Sequence, residues 1–162
     1  MLVVRYVALT ALVVWVGGMI VLGLLVAPST FRVLQAHDPA AGRALAGALF
    51  GDVLRQFHLL AWTCGSIVLV CLLIMKFIGP PPRAFPLRAG IVAVMLALDV
   101  YAGVSVSRGI AEVQAKVSGP MNALPADDAR RARFDRLHAT STALMTIDMA
   151  LGLVLLFWYV RE

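Results

Sequence analysis

The sequence predicts an all-α, polytopic integral membrane protein: a four-helix bundle with helical extensions on one side. Three observations predict it. Four long apolar runs, 6–27, 59–78, 89–106 and 139–160, fill most of the 162 residues. Each is about 20 residues, enough for an α-helix rising ~1.5 Å per residue to cross ~30 Å of hydrocarbon. Composition agrees, with 61% of residues hydrophobic, 14% charged and a mean hydropathy of +0.90, against roughly 45–50% apolar in a soluble domain. The connections carry helix signals of their own and leave no room for a separate soluble domain, so 1–162 reads as one unit.

The first run exceeds the roughly 7–15-residue apolar core of a signal peptide and reads as a retained first helix. Its Trp15, Gly17, Gly18 and Gly23 suggest close helix contact through small residues, without a clean GxxxG spacing. Pro28 opens a connection reaching about His58. Within it, Asp38-Pro39 reads as an N-cap followed by a proline at the first helical position, so a helix from 39 should run straight into the second span. In that span Cys64 and Cys71 share a helix face about 10 Å apart, too far to pair, and read as buried thiols. Residues 79–86, Gly-Pro-Pro-Pro-Arg-Ala-Phe-Pro, form a short hinge. The third run has Asp99 near its centre and can continue past Arg108 to about Val117, where Ser118-Gly119-Pro120 stops it. Pro125 and Asp127 precede an Arg-rich, helix-compatible stretch from Ala129 that joins the fourth span, centred on Asp148. No internal sequence repeat is evident.

A net charge of +5 and a pI near 9.9 would suggest nucleic acid in a soluble protein. Here the basic residues flank spans, and no basic stripe carries interleaved aromatics, so the expected partner is the lipid bilayer and not nucleic acid. An even number of spans puts both termini on one face, side A, and the two longer connections on the other, side B. Side A holds Arg5, Lys76, Arg83, Arg88 and Arg161 in short segments; side B holds nine Lys or Arg diluted by six acids. Raw count favours side B inside and local density favours side A. The commoner design for even-span proteins, with both termini cytoplasmic, is the expectation taken.

Two pairs of residues could carry chemistry. His58 and His138 sit at the starts of the second and fourth spans, near one depth on side B. Histidines on facing helices can hold haem b or a transition metal, with Met145 as a further ligand and Trp62 lining the pocket. The plainer alternative is a helix cap or a pairing with Asp52 or Asp135. Asp99 and Asp148 lie about eleven and twelve residues in from side A, hence nearly in one plane. Facing each other, they would share a proton or hold a cation; otherwise each ties helices through Ser, Thr or Tyr101. On the fourth helix His138, Ser141, Thr142, Met145, Asp148, Met149 and Gly152 form one polar and sulfur-bearing stripe. Met19, Met95, Met145, Met149 and Cys64 could line a soft-metal path, though core packing explains them as well. His37 reads as solvent-facing. No nucleophile elbow, P-loop, dinucleotide fingerprint, HExxH or zinc spacing is present.

The segments Trp15-Val16-Gly17-Gly18, Ala27-Pro28-Ser29-Thr30-Phe31, Leu49-Phe50 through Phe57-His58, and Phe134-Asp135-Arg136-Leu137-His138 occur in one order. Together they resemble a bacterial family of unknown function related to human transmembrane protein 205. The resemblance implies a four-helix integral membrane fold in the bacterial inner membrane. It also implies distant kinship with copper-resistance D-type membrane domains and membrane protoporphyrinogen oxidases, and, through the human relative's link to platinum-drug resistance, soft-metal or solute handling. The haem-binding relatives carry a histidine on their first helix, where this chain has none.

Three readings stay open. The first is a haem- or metal-binding redox subunit with His58 and His138 as ligands. The second is a small homo-oligomeric transporter for a metal ion or solute using the Asp99–Asp148 pair. The third is a non-catalytic subunit of a larger membrane complex.

Overall fold

The computed structural model describes residues 1–39, 41–79, 82–117, 121–125 and 127–161. Among them, four helices are long and apolar enough to cross a membrane: α1 (Leu2–His37), α2 (Gly42–Ile78), α3 (Phe85–Ala115) and α4 (Ala129–Val160). Each packs on the next and α4 closes on α1, an up-down-up-down ring. The protein is an all-α membrane bundle.

Spacing explains the packing. Buried residues recur every three or four positions: Leu12, Trp15, Val16 and Met19 on α1, Ala61, Cys64, Val68 and Leu72 on α2, and Arg88, Val92, Met95 and Asp99 on α3. On α4 the series is Asp148, Gly152, Leu155 and Tyr159. The outward faces are apolar too, with Leu2, Leu24, Leu25, Phe77 and Val160 exposed, as suits a surface facing lipid tails. Because lipid is as apolar as the core, close fit must hold the helices together. Gly65 lets α2 approach Leu96 and Trp15, and Gly152 lets α4 approach Val16 and Met95; a β-carbon at either would overlap its neighbours. Gly18 abuts Phe57 in the same way, whereas Gly17 faces open space. Cys64 and Cys71 are buried free thiols.

All four helices overrun their apolar spans at the side-B end. For α1 this departs from the expected exit at Pro28, because the helix continues to His37. A π-turn at Leu22–Val26, closed by the Ala27 N–H on the Leu22 carbonyl, widens the ladder just where the proline ring needs room. A second π-turn, Ala102–Val106, interrupts α3. There the Ser107 hydroxyl joins its own N–H in donating to the Ala102 carbonyl, at 2.9 Å. The turns stand 80 positions apart at both ends (22 to 102, 26 to 106), and the same offset relates Gly23 to Gly103 and His58 to His138. The two helical hairpins thus carry a π-turn, a glycine within it and a histidine at matching positions.

Helix α2 begins at Gly42 rather than at residue 39. Asp38 ends α1 and forms the turn, its Oδ1 accepting the Ala41 N–H at 2.9 Å and its carbonyl the Gly42 N–H at 2.7 Å. Helix α4 is capped by Asp128, which accepts the Arg130 backbone N–H at 2.8 Å and its guanidinium at 2.7 Å. The guanidinium bond first, then the backbone one, holds that carboxyl at about 2. The expected stop at 118–120 and residues 80 and 81 of the hinge lie outside the described residues. At the side-A end, buried Arg88 donates to the Trp158 carbonyl at 3.4 Å and lies over the Trp158 and Tyr159 rings, 5.8 and 5.4 Å from their centroids. Its guanidinium lies against the last turn of α4, where carbonyls lack helical partners and cations are favoured.

Gly152→Val should lower the unfolding free energy in a detergent titration by roughly 1–3 kcal/mol through overpacking. Gly90→Ala, at a site with open space beside it, should leave it unchanged or raise it by up to about 1 kcal/mol. Asp128 has a folded pKa below the ordinary 3.8, so its capping stabilisation is present above about 4 and lost as pH falls towards 2. Amide hydrogen exchange over 129–133, corrected for intrinsic rate, should accelerate across that window, and Asp128→Asn should flatten the response.

Candidate functional site

Four polar or charged residues stand out in the bundle core: His58, Arg88, Asp99 and Asp148. Three of them converge. His58 on α2, Asp99 on α3 and Asp148 on α4 occupy core positions of their helices and are 7%, 7% and 3% exposed. His58 Nδ1 lies 2.7 Å from Asp99 Oδ1, one hydrogen bond joining α2 to α3. The imidazole is held on two further sides. Trp62, one turn on, stacks near it with ring centroids 6.5 Å apart and planes at 29°. Gly103, inside the second π-turn, brings α3 so close that a β-carbon there would strike both the His58 and Trp62 rings.

Asp148 completes the group. It lines a cavity of about 20 Å³ together with His58, Asp99, Ser141, Met19 and Met145, within electrostatic range of Asp99. A space of that size admits about one water. His58 Nε2, Asp99 Oδ2 and Asp148 Oδ1 are buried with no hydrogen-bond partner among the described residues. Leaving such an atom unpaired costs about 1–3 kcal/mol, so three around one cavity call for a functional explanation.

The two aspartates expected in one plane therefore do line one cavity. His58 takes neither Asp52 nor Asp135 as its partner; Asp52 binds Arg55 at 2.6 Å and Gln56 at 2.9 Å along its own helix. His138 goes elsewhere. It lines a separate cavity of about 460 Å³ at the side-B end, its ring parallel to Phe134 with centroids 6.1 Å apart. His58 and His138 thus open on different cavities, and no described cavity presents both to one metal centre. Of the candidate soft ligands, Met19 and Met145 reach the small cavity, while Met95 and Cys64 are in the apolar core with Met149 at its margin. His37 is exposed. Of the α4 stripe, His138 opens on the larger cavity and Ser141, Met145 and Asp148 on the smaller, while Thr142 is exposed.

Sequence reasoning missed two features, the burial of Arg88 and the pairing of His58 with Asp99. Arg88 counted only as a flanking charge, although it shares the core spacing of Val92, Met95 and Asp99. Trp62 was expected beside His58 and stacks there, whereas the close approach at Gly103 follows only once α2 and α3 are side by side. The His58–Asp99 bond spans 41 positions and leaves no local signal.

A family model described as a domain of unknown function (DUF4149) matches residues 10–118. The matched segment contains His58 and Asp99; His138 and Asp148 lie beyond it. It is an uncharacterised family, and the match shows no tie to transmembrane protein 205 or to copper-resistance D domains. No curated protein and no solved structure matches the chain.

Breaking the buried pair should be costly. Asp99→Asn or His58→Leu alone should lower the unfolding free energy by roughly 3–5 kcal/mol, since each leaves its partner buried and unpaired. A double-mutant cycle in the same detergent titration should return a coupling of about 1–3 kcal/mol, and additive effects would show that the 2.7 Å contact contributes nothing.

Proposed function

The chain belongs to the DUF4149 family of unknown function, and for this member we propose a proton-handling role: His58, Asp99 and Asp148 form one proton-binding site within the bilayer. The reading rests on a single observation, the 2.7 Å imidazole–carboxylate bond facing a water-sized cavity that a second buried carboxyl also lines. Two carboxyl groups around one buried cavity cannot both carry charge cheaply. One shared proton relieves the repulsion. The bonded imidazole supplies a second place for it, because a proton between Nδ1 and Oδ1 can reside on either atom while the other accepts. Moving that proton towards Asp148 changes which side chains the cavity holds together. That is the kind of local charge change that biases one helix packing over another.

The π-turns support the reading. They lie next to Asp99 on α3 and two residues before Pro28 on α1, and such turns are frequent at functional sites. The exit towards side B follows α4, where Ser141 precedes Asp148 by two turns and His138 precedes Ser141 by about one. The transported species or coupled partner is the proton itself in the simplest form of this reading.

Proteoliposomes with an entrapped pH dye and an imposed potassium potential test it. The full chain should raise proton flux above protein-free vesicles, and Asp148→Asn should remove at least about nine-tenths of the excess, by analogy with the 10²–10⁴-fold effects of positioned acid–base groups. Asp52→Asn, on the exposed extension, should leave it intact. Infrared spectra across a pH titration should show a protonated-carboxyl band missing in Asp148→Asn. Superimposable spectra at every pH, together with unaltered flux, would sink the proposal.

A further inference from the structure

The larger cavity lies where the side-B extensions of all four helices meet, with Phe31 from α1, Arg43 and Ala48 from α2, Gln114 from α3 and Phe134 from α4 around it. Its volume of about 460 Å³ falls within the roughly 300–1,000 Å³ of small-molecule sites. The lining divides chemically. Phe31, Met121 and Phe134 offer apolar surface; Arg43 and Arg131 bring two permanent positive charges against the single acid Asp135, with Gln114 and His138 as further polar groups.

The two arginines play different parts. Arg131 Nη1 donates to the Leu124 carbonyl at 2.9 Å and so secures the α3–α4 connection while keeping its charge at the cavity. Arg43 makes no hydrogen bond or ion pair among the described residues and brings to the cavity an exposed guanidinium, the group that binds carboxylate or phosphate through two parallel bonds. The cavity also borders the bilayer, since its His138 directly precedes the fourth apolar span at residue 139. A site that is aromatic on one side, cationic on the other and placed at the head-group level selects for one class of ligand.

We propose that this cavity binds an amphiphilic anion, a carboxylate or phosphate head on an apolar chain or ring, with Arg43 and Arg131 taking the head and Phe31 and Phe134 the apolar part. The proposal is independent of the buried proton site, and neither needs the other. The head-group chemistry is common to a lipid of the side-B leaflet and to a soluble organic anion.

Calorimetric titration of the full chain in phosphatidylcholine nanodiscs with hexyl phosphate, inorganic phosphate and hexanol tests it. Hexyl phosphate should bind, and more tightly than either of the others, because each lacks one half of the recognised structure. Arg43→Gln should weaken that binding roughly tenfold or more, the usual effect of losing a charge-assisted contact. Ala48→Trp, which fills the cavity from an exposed position, should abolish it. Arg55→Gln, the same charge change on the exposed face of α2, should not alter it. Doping the discs with phosphatidylglycerol distinguishes the source: competition assigns the site to a leaflet lipid, and no competition assigns it to a soluble anion. Binding that is equal in wild type, Arg43→Gln and Ala48→Trp, or hexanol binding as tightly as hexyl phosphate, would overturn the site.

Discussion

In hydrocarbon no water is at hand to satisfy a polar group, so every such group in the bundle must find its partner within the protein. The contact between His58 and Asp99 meets that constraint, and much of the surrounding structure is arranged around it. It sets α2 against α3 at one level. It requires that α3 carry no side chain at Gly103, where the imidazole and Trp62 lie against the backbone. It also leaves Asp148, on α4, facing an occupied dyad across a space with room for about one water. Three buried polar atoms without partners among the described residues, on three side chains that line one cavity, separate this arrangement from an ordinary interhelical tie.

Helix α3 acts as the spine. Its inward face runs Arg88, Val92, Met95 and Asp99, so a cation and an acid share one stripe about 16 Å apart. The cation reaches the last turn of α4, and the acid reaches α2. Between these polar ties the bundle is closed by fit, with Gly65 and Gly152 bringing neighbouring backbones within reach of Leu96 and Val16. Polar ties set the register of the helices and small residues set their separation.

The matching positions of the two hairpins make their differences informative. Both have a π-turn beginning with residue 22 or 102, a glycine within it, and a histidine at 58 or 138. The acid that binds His58 is Asp99; the corresponding position, 80 residues earlier, is Met19. His138 consequently has no buried carboxylate to draw it inward, and it opens on the cationic side-B cavity instead. The buried acid–imidazole site and the open site at the membrane edge are both lined by α4.

The sequence alone determined the fold class, the four spans, the side of the helical extensions and the inward position of both mid-membrane aspartates. All of these follow from apolar length and from three- and four-residue spacing, which are local properties of a helix. Of the α4 stripe it placed Ser141, Met145 and Asp148 on one face, because a helix face needs no neighbour to define it. The passage of α1 through Pro28 was not legible, since a π-turn has no residue signature and hides a proline that would otherwise end the helix. The separation of the two histidines was not legible either. Their equal distance from the span ends says nothing of which way each ring points or which partner it meets. Only the tertiary structure decided that His58 pairs with Asp99, that Asp148 joins them, and that His138 belongs to another cavity. The first two outcomes depend on contacts between residues 41 or more positions apart, and the third on how the side-B extensions of different helices meet, which a spacing argument along one helix cannot reach.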